Sequence, residues 1–266
     1  MPRLAANLST MFRETPFLER FERAAKAGFS AVEFQFAYVF DPADIRSRLI
    51  DNGLTAVLFN TPAGDWDRGE RGLAALPARR DEYRTGVGQA IDLALELCCT
   101  RLHTLAGIVA PGADPEAMRR TYVDNLRFAA QFAAMSGIEM LIEPISEQAM
   151  PGYFLSSLAQ AADIIDEAGE ENLFIQYDLY HRRFEGPDLI APLETHADTI
   201  RHVQIAGWPD RHEPGEGDPG WRGVFEALDL SDYAGFVGCE YFPAGRTEDG
   251  LGWARPWLRP AGEGTA

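Results

Sequence analysis

The chain alternates short apolar runs with longer amphipathic ones eight times, and no other feature restricts its fold as strongly. The strand-like runs fall at 4–8 (LAANL), 31–36 (AVEFQF), 54–59 (LTAVLF), 100–105 (TRLHTL), 138–143 (IEMLIE), 173–178 (LFIQYD), 199–205 (TIRHVQI) and 235–240 (GFVGCE). Helical patterns separate them at 16–27, 42–52, 78–98, 115–136, 156–169, 187–197, 221–229 and 246–258. Several strands are apolar almost throughout, as parallel strands buried on both faces are. Right-handed β/α units of this number close into a barrel. The spacing therefore predicts an α/β protein with a single (β/α)8 TIM barrel over residues 1–258 and a frayed tail at 259–266. A doubly wound open sheet fits less well, because no G-x-G-x-x-G follows the first strand.

Local punctuation supports the same division. Gly28, Gly53, Gly137 and Gly169 stand where helices stop, and Pro16, Pro42, Pro115 and Pro187 stand near helix starts. Asp41, Asp114 and Ser156 are the expected N-caps.

Composition removes whole classes of chemistry. A net charge of −17 argues against nucleic acid as a partner, since phosphates are bound by Lys and Arg. Lys26 is the only lysine in the sequence, and it lies at the end of a helical stretch, so Schiff-base, pyridoxal phosphate and P-loop chemistry are excluded. Cys98, Cys99 and Cys239 form no C-x-x-C pair and lie in apolar stretches, which predicts buried, reduced thiols. No apolar run is long enough to span a bilayer, and the N-terminus lacks the plan of a signal peptide, so the expected location is cytoplasmic.

Four of the strand-like runs end in an oxygen donor: Glu143, Asp178, Gln204 and Glu240. They recur at roughly the length of one strand plus one helix, which brings them to one rim of a barrel. A single acidic residue at a strand end is more often a cap or an ion-pair partner. A set of this kind on successive strands instead points to a hard divalent cation, because burying the carboxylates together without one is strongly unfavourable. The long connections NTPAGDWDRGERGLAALP, PISEQAMPGYFL and AGWPDRHEPGEGDPG all follow strands, on the rim where barrel enzymes build their sites.

The motifs AANLSTMF, FNTPAGDWDRGERGLAALP, LIEPIS, QYDLYH, HVQIAGWPDRHEPGEGD and GCEYFP together resemble the hydroxypyruvate isomerase family of the xylose isomerase-like barrels. That superfamily also holds ketose 3-epimerases and endonuclease IV. The resemblance covers nearly the whole chain. It implies that Glu143, Asp178, Gln204 and Glu240 hold one divalent cation. Gln204 stands where the epimerases mostly carry His, and an amide oxygen is a harder donor than imidazole, which favours Mg2+ or Mn2+ over zinc. The resemblance also implies that His181, in a D-x-x-H pattern with Asp178, and Arg211 touch the substrate. An arginine fork suits a substrate carboxylate, although a solvated loop charge among Asp210, Glu213 and Glu216 is the plainer alternative.

A cation that polarises an α-hydroxycarbonyl, with carboxylates beside the adjacent carbons, can move a proton from one carbon to the next through an enediolate. Glu143 and Glu240 are the expected base and acid, in an order the residues leave open. The expected reaction is the interconversion of hydroxypyruvate and tartronate semialdehyde, with a small hydroxy-oxo acid as substrate. Isomerisation of 2-dehydrotetronate is the nearest alternative and ketose 3-epimerisation the next. An abasic-site nuclease lacks its basic residues and zinc ligands here, and a non-catalytic module would bind no metal. The oligomeric state is left open, a homo-oligomer included. Around the core set, His103 lines the pocket or is a satisfied interior histidine, and Glu33 is a candidate partner of the ligands. His202 reads as structural, while Glu70 and Arg71 belong to a lid or to surface ion pairs. His196 and His212 are expected at the surface. Asp218 in GEGD stands where close relatives commonly carry Glu.

Overall fold

The computed structural model describes residues 1–215, 217–218, 220–231 and 233–259. Strands β1 (Arg3–Asn7), β2 (Ala31–Phe34), β3 (Thr55–Asn60), β4 (Arg101–His103), β5 (Glu139–Ile142), β6 (Leu173–Asp178), β7 (Ile200–Ile205) and β8 (Phe236–Cys239) form one closed barrel in chain order. The helices are α1 (Phe17–Lys26), α2 (Pro42–Asp51), α3 (Arg80–Leu97), α4 (Pro115–Ala134), α5 (Leu158–Ala168), α6 (Leu179–Arg183), α7 (Ile190–Thr195) and α8 (Trp221–Leu230). The predicted (β/α)8 barrel is therefore the observed fold. No helix among the described residues is long and apolar enough to cross a membrane.

Local chemistry explains where elements begin and end. Asp41 and Asp114 accept from Ala43 N and Glu116 N, each followed by a proline in the first turn. The cap of α5 is Ser157, not Ser156: its hydroxyl accepts from Gln160 N. Cys98 was expected to be buried and is instead exposed, because it ends α3 in the left-handed region at φ 53°. Cys99 and Cys239 are buried and free, as expected. The last predicted helix is a 3-10 segment, Thr247–Trp257, since Gly250, Gly252 and Pro256 weaken an α-helix there. Arg259, the first residue of the predicted frayed tail, donates its N–H to Gly28 O at 3.0 Å, and residues 260–266 lie outside the described residues.

The contacts define two compact units. One comprises Met1–Leu58, Asp178–Ala197 and the chain from His202 onward. Its parallel register sets Asn7 beside Glu33, and Gln204 beside Gly238. Phe17 packs edge-on against Phe21 and Phe34 and stacks on Phe40, which seats α1 against β2. Helix α8 buries Trp221, Val224, Phe225 and Leu228. Trp221 and Phe225 pack edge-on against Trp253 and Trp257 of the 3-10 segment, and burial of rings this size contributes about 2 kcal/mol or more each.

The other unit comprises Phe59–Tyr177 and Asp198–Arg201. Helix α3 buries Tyr83, Val87, Ala90, Ile91 and Ala94 at helical spacing, and α4 does the same with Met118, Tyr122, Leu126, Ala129 and Ala133. The connections that follow β3, β4 and β5 are laced together by backbone hydrogen bonds. Gly72 bridges Ala106, and Ala75 N donates to Ala106 O at 2.7 Å. Ile108 bridges Tyr153, and Phe154 N donates to Gly107 O at 2.9 Å. Gly72 has φ 114° and lies so close to Leu105 that only a residue without a side chain fits. The expected lids after β3 and β5 are thus tied to the β4 connection as one wall.

Candidate active site

The strand ends of the first unit gather most of the sequence-predicted site. Asp178 closes β6 and at once caps α6, its Oδ1 accepting from Tyr180 N at 2.9 Å. That leaves Oδ2 facing Arg211 Nη2 at 3.3 Å and His181 Nε2 at 3.5 Å. The same Arg211 Nη2 reaches Glu240 Oε2 at 3.0 Å, so one guanidinium nitrogen serves two buried carboxylates. Glu240 Oε1 accepts from Asn7 Nδ2 at 3.2 Å and from Gln35 Nε2 at 3.0 Å. Gln204 donates Nε2 to Glu33 Oε1 at 2.7 Å. Glu33 also accepts from Asn7 Nδ2 at 2.9 Å and meets His202 Nε2 at 2.6 Å. Asp178, His181, Arg211, Gln204 and Glu240 therefore belong to one polar network, with Glu33 its hub.

The electrostatics follow from burial. Desolvation raises the carboxyl pKa of Asp178 and of Glu240, each opposed by the charge of Arg211 and reinforced by neighbouring acids. Burial pushes His181 well below its usual value, assisted by the charges of Arg211 and Arg182, so its ring is neutral near pH 7. Arg211 is itself held at φ 57°, a conformation that costs a non-glycine residue on the order of 1 kcal/mol. Its N–H donates to Gly207 O, its C=O accepts from Phe242 N, and its guanidinium lies 5.0 Å from the Tyr180 ring centroid. This is no loosely solvated loop charge. Asp218 accepts from Trp208 N at 3.0 Å and pairs with Arg183 at 3.4 Å, so the shorter carboxylate still pins the β7 connection.

In the second unit Glu143 directly follows β5 and is 4% exposed. His103 Nε2 lies 3.8 Å from Glu143 Oε2, and His103 Nδ1 lies 3.1 Å from Asn60 Oδ1. A carbonyl oxygen can only accept, so Nδ1 carries the proton and Nε2 is turned to the carboxylate. Glu70 is occupied within its own loop by Arg79 and by Asp65 N, and Arg71 stacks on Trp66 at 4.0 Å; the ion-pair alternative describes Glu70. His212 is exposed, while His196 is only partly so. Lys26 pairs with Glu22 on the surface of α1, remote from any catalytic role.

Asn7, Gln35 and Asn60 were not foreseen as site residues. Neutral amides carry no charge signal and no spacing of their own. Gly238, two residues before Glu240, was a usable clue, because glycine inside a strand marks a close approach.

Known proteins match this sequence over nearly its whole length. The chain is 46% identical over 258 residues to a 2-oxo-tetronate isomerase of Cupriavidus necator, covering 97% of this chain and 99% of the relative. It is 45% identical to a hydroxypyruvate isomerase of Escherichia coli, covering 97% and 100%. A crystal structure from Brucella melitensis, described as AP endonuclease, family 2, superposes with a TM-score of 0.94 at 46% identity, covering 97% of this chain and 100% of that one. Residues 21–260 match the family model of the xylose isomerase-like TIM barrel, and the protein belongs to that family.

Proposed function

We propose that this protein is a divalent-metal-dependent isomerase of small sugar acids, interconverting hydroxypyruvate and 2-hydroxy-3-oxopropanoate. The single observation that carries the reading is the pair of buried carboxylates, Asp178 and Glu240, converging on one guanidinium nitrogen. With Glu33 beside them, this unit holds more buried negative charge than Arg211 alone balances, and its donors are carboxylates and an amide oxygen. Such a set fits a hard divalent cation, Mg2+ or Mn2+. Asp178, Gln204 and Glu240, joined by Glu143, would hold it; Glu143, Asp178 and His181 are also of the types that hold metal ions. When bound, the cation supplies positive charge where negative charge develops on the substrate oxygens.

The side chains supply the rest. One of Glu143 and Glu240 takes the proton from C3 of hydroxypyruvate, and the other delivers a proton to C2, so an enediolate collapses to the aldehyde without an external oxidant or reductant. Neutral His181 gives or accepts a hydrogen bond at a substrate hydroxyl. The Arg211 fork receives the substrate carboxylate. A four-carbon 2-oxo-tetronate offers the same reacting unit, and the Cupriavidus relative bears that name, so it stands as the second reading. A net charge of −17 opposes a nuclease reading. Its expected setting remains the cytoplasm, acting on a free metabolite.

The deciding experiment strips the protein of metal, restores Mg2+ or Mn2+, and follows deuterium uptake from solvent by NMR on hydroxypyruvate, 2-oxo-tetronate and a ketohexose. Metal-dependent exchange is expected on the acids and not on the ketohexose; none on any of them refutes the isomerase reading. Arg211→Ala is expected to raise the apparent KM for the acids on the order of tenfold or more, the worth of a charge-assisted hydrogen bond. An unchanged KM would mean the carboxylate is held elsewhere.

A further inference from the structure

We propose that Glu33 is a positioning residue that fixes which end of the Gln204 amide faces the cation. This rests on the cation reading above and deepens it. An ionised carboxylate can only accept hydrogen bonds, so the 2.7 Å contact from Gln204 to Glu33 Oε1 must use the amide NH2. The amide oxygen is thereby turned away from Glu33. Without that constraint the two ends of a glutamine amide are nearly equal in shape, and a donor group could face the cation as readily as an oxygen. Glu33 orders a second amide by the same rule. Asn7 donates Nδ2 to Glu33 and to Glu240, while its Oδ1 accepts from Ser9 N at 3.0 Å. A hydrogen bond thus runs from the hub to each of two proposed ligands, directly to Gln204 and through Asn7 to Glu240.

The hub is built into the barrel rather than left to chance. Glu33 lies on β2, its carboxylate is 1% exposed, and His202 Nε2 holds its other oxygen at 2.6 Å. Gly238 on β8 leaves the space: a Cβ there would come within 2.5 Å of Glu33 Oε1. Partners that orient metal ligands typically influence affinity by 10- to 100-fold when removed.

Removing the Glu33 charge would also weaken cation binding directly, so a single variant is insufficient and a double-mutant cycle is required. Mn2+ affinity is measured by calorimetry on metal-stripped wild type, Glu33→Gln, Gln204→Ala and the double variant, with thermal unfolding of each metal-free protein alongside. Glu33→Gln is expected to weaken Mn2+ binding roughly 10-fold or more, and to have little further effect once Gln204 is alanine. A loss of equal size in both backgrounds means that Glu33 acts by charge or by the fold, and overturns the positioning role. Wild-type affinity in Glu33→Gln overturns it as well, whereas a wild type that binds no Mn2+ overturns the cation reading and this inference with it.

Discussion

Glu240→Gln is expected to lower kcat by about 10^3-fold, within the range of a lost general acid or base, while the protein stays folded. The replacement keeps the shape and leaves an amide oxygen able to accept from Asn7 and Gln35, the contacts now made by Oε1. What it removes is the charge on the Oε2 side, where Arg211 donates at 3.0 Å. The amide NH2 would then face a guanidinium, donor against donor. Because burial, reinforced by Asp178 and Glu33, raises the cost of ionising Glu240 against the pull of Arg211, losing this buried charge removes a desolvation cost, and the melting temperature is expected to stay level or rise. Glu143→Gln is expected to match it in kcat. Steady-state kinetics paired with thermal unfolding checks both, and a fully active variant would remove that glutamate from the mechanism. The paired readout matters because proteins often hold functional groups at a cost in stability: a variant that is dead but more stable is the signature of a site, and one that is dead and unfolded is not.

Much of this site was legible because its principal residues end strands. Asp178 and Glu240 follow apolar runs, and an abrupt change from apolar to acidic is visible in any sequence. The eight strands were legible for the same reason, each within two residues at either end. Helix α6 was not, since a helix of five residues has no room for periodicity and is started by Asp178 itself. The amides that hold Glu240 were hidden because Asn7 and Gln35 come from strands and loops distant in sequence, and only barrel closure brings β1, β2 and β8 together. Arg211 was legible as a charge but not as a bridge: its left-handed backbone, set by Gly207 and Phe242, turns the guanidinium onto two carboxylates. The Glu33 hub lay between these cases. Its acid inside a strand was conspicuous and read as a partner of the ligands, Gln204 among them, whereas Asn7 carried no signal and His202, read as structural, showed no link to it in the sequence.

The largest expected loss of stability comes from adding one methyl group, in Gly238→Ala. Gly238 has no left-handed backbone to strain; the difficulty is entirely one of space. Its register partner on β7 is Gln204, and the neighbouring Glu33 carboxylate occupies the volume where a Cβ would lie. Real Cβ atoms do not approach oxygen this closely, so either β8 or Glu33 must move. Moving β8 disturbs the pairing of Leu4 with Val237 and of Ala5 with Gly238 in a closed sheet with no free edge to absorb the shift. Moving Glu33 separates a buried carboxylate from His202, Gln204 and Asn7 and leaves them with unmet hydrogen bonds in a dry interior. Overpacking costs about 1–3 kcal/mol and breaking a buried charged network about 3–5, so a loss of about 3 kcal/mol is expected by whichever route is cheaper. For a chain of this size that corresponds to a fall in Tm of roughly 6–12 °C, readable by calorimetry. An unchanged Tm would show that Glu33 can stand aside without cost, and the crowding that makes it a hub would have to be abandoned.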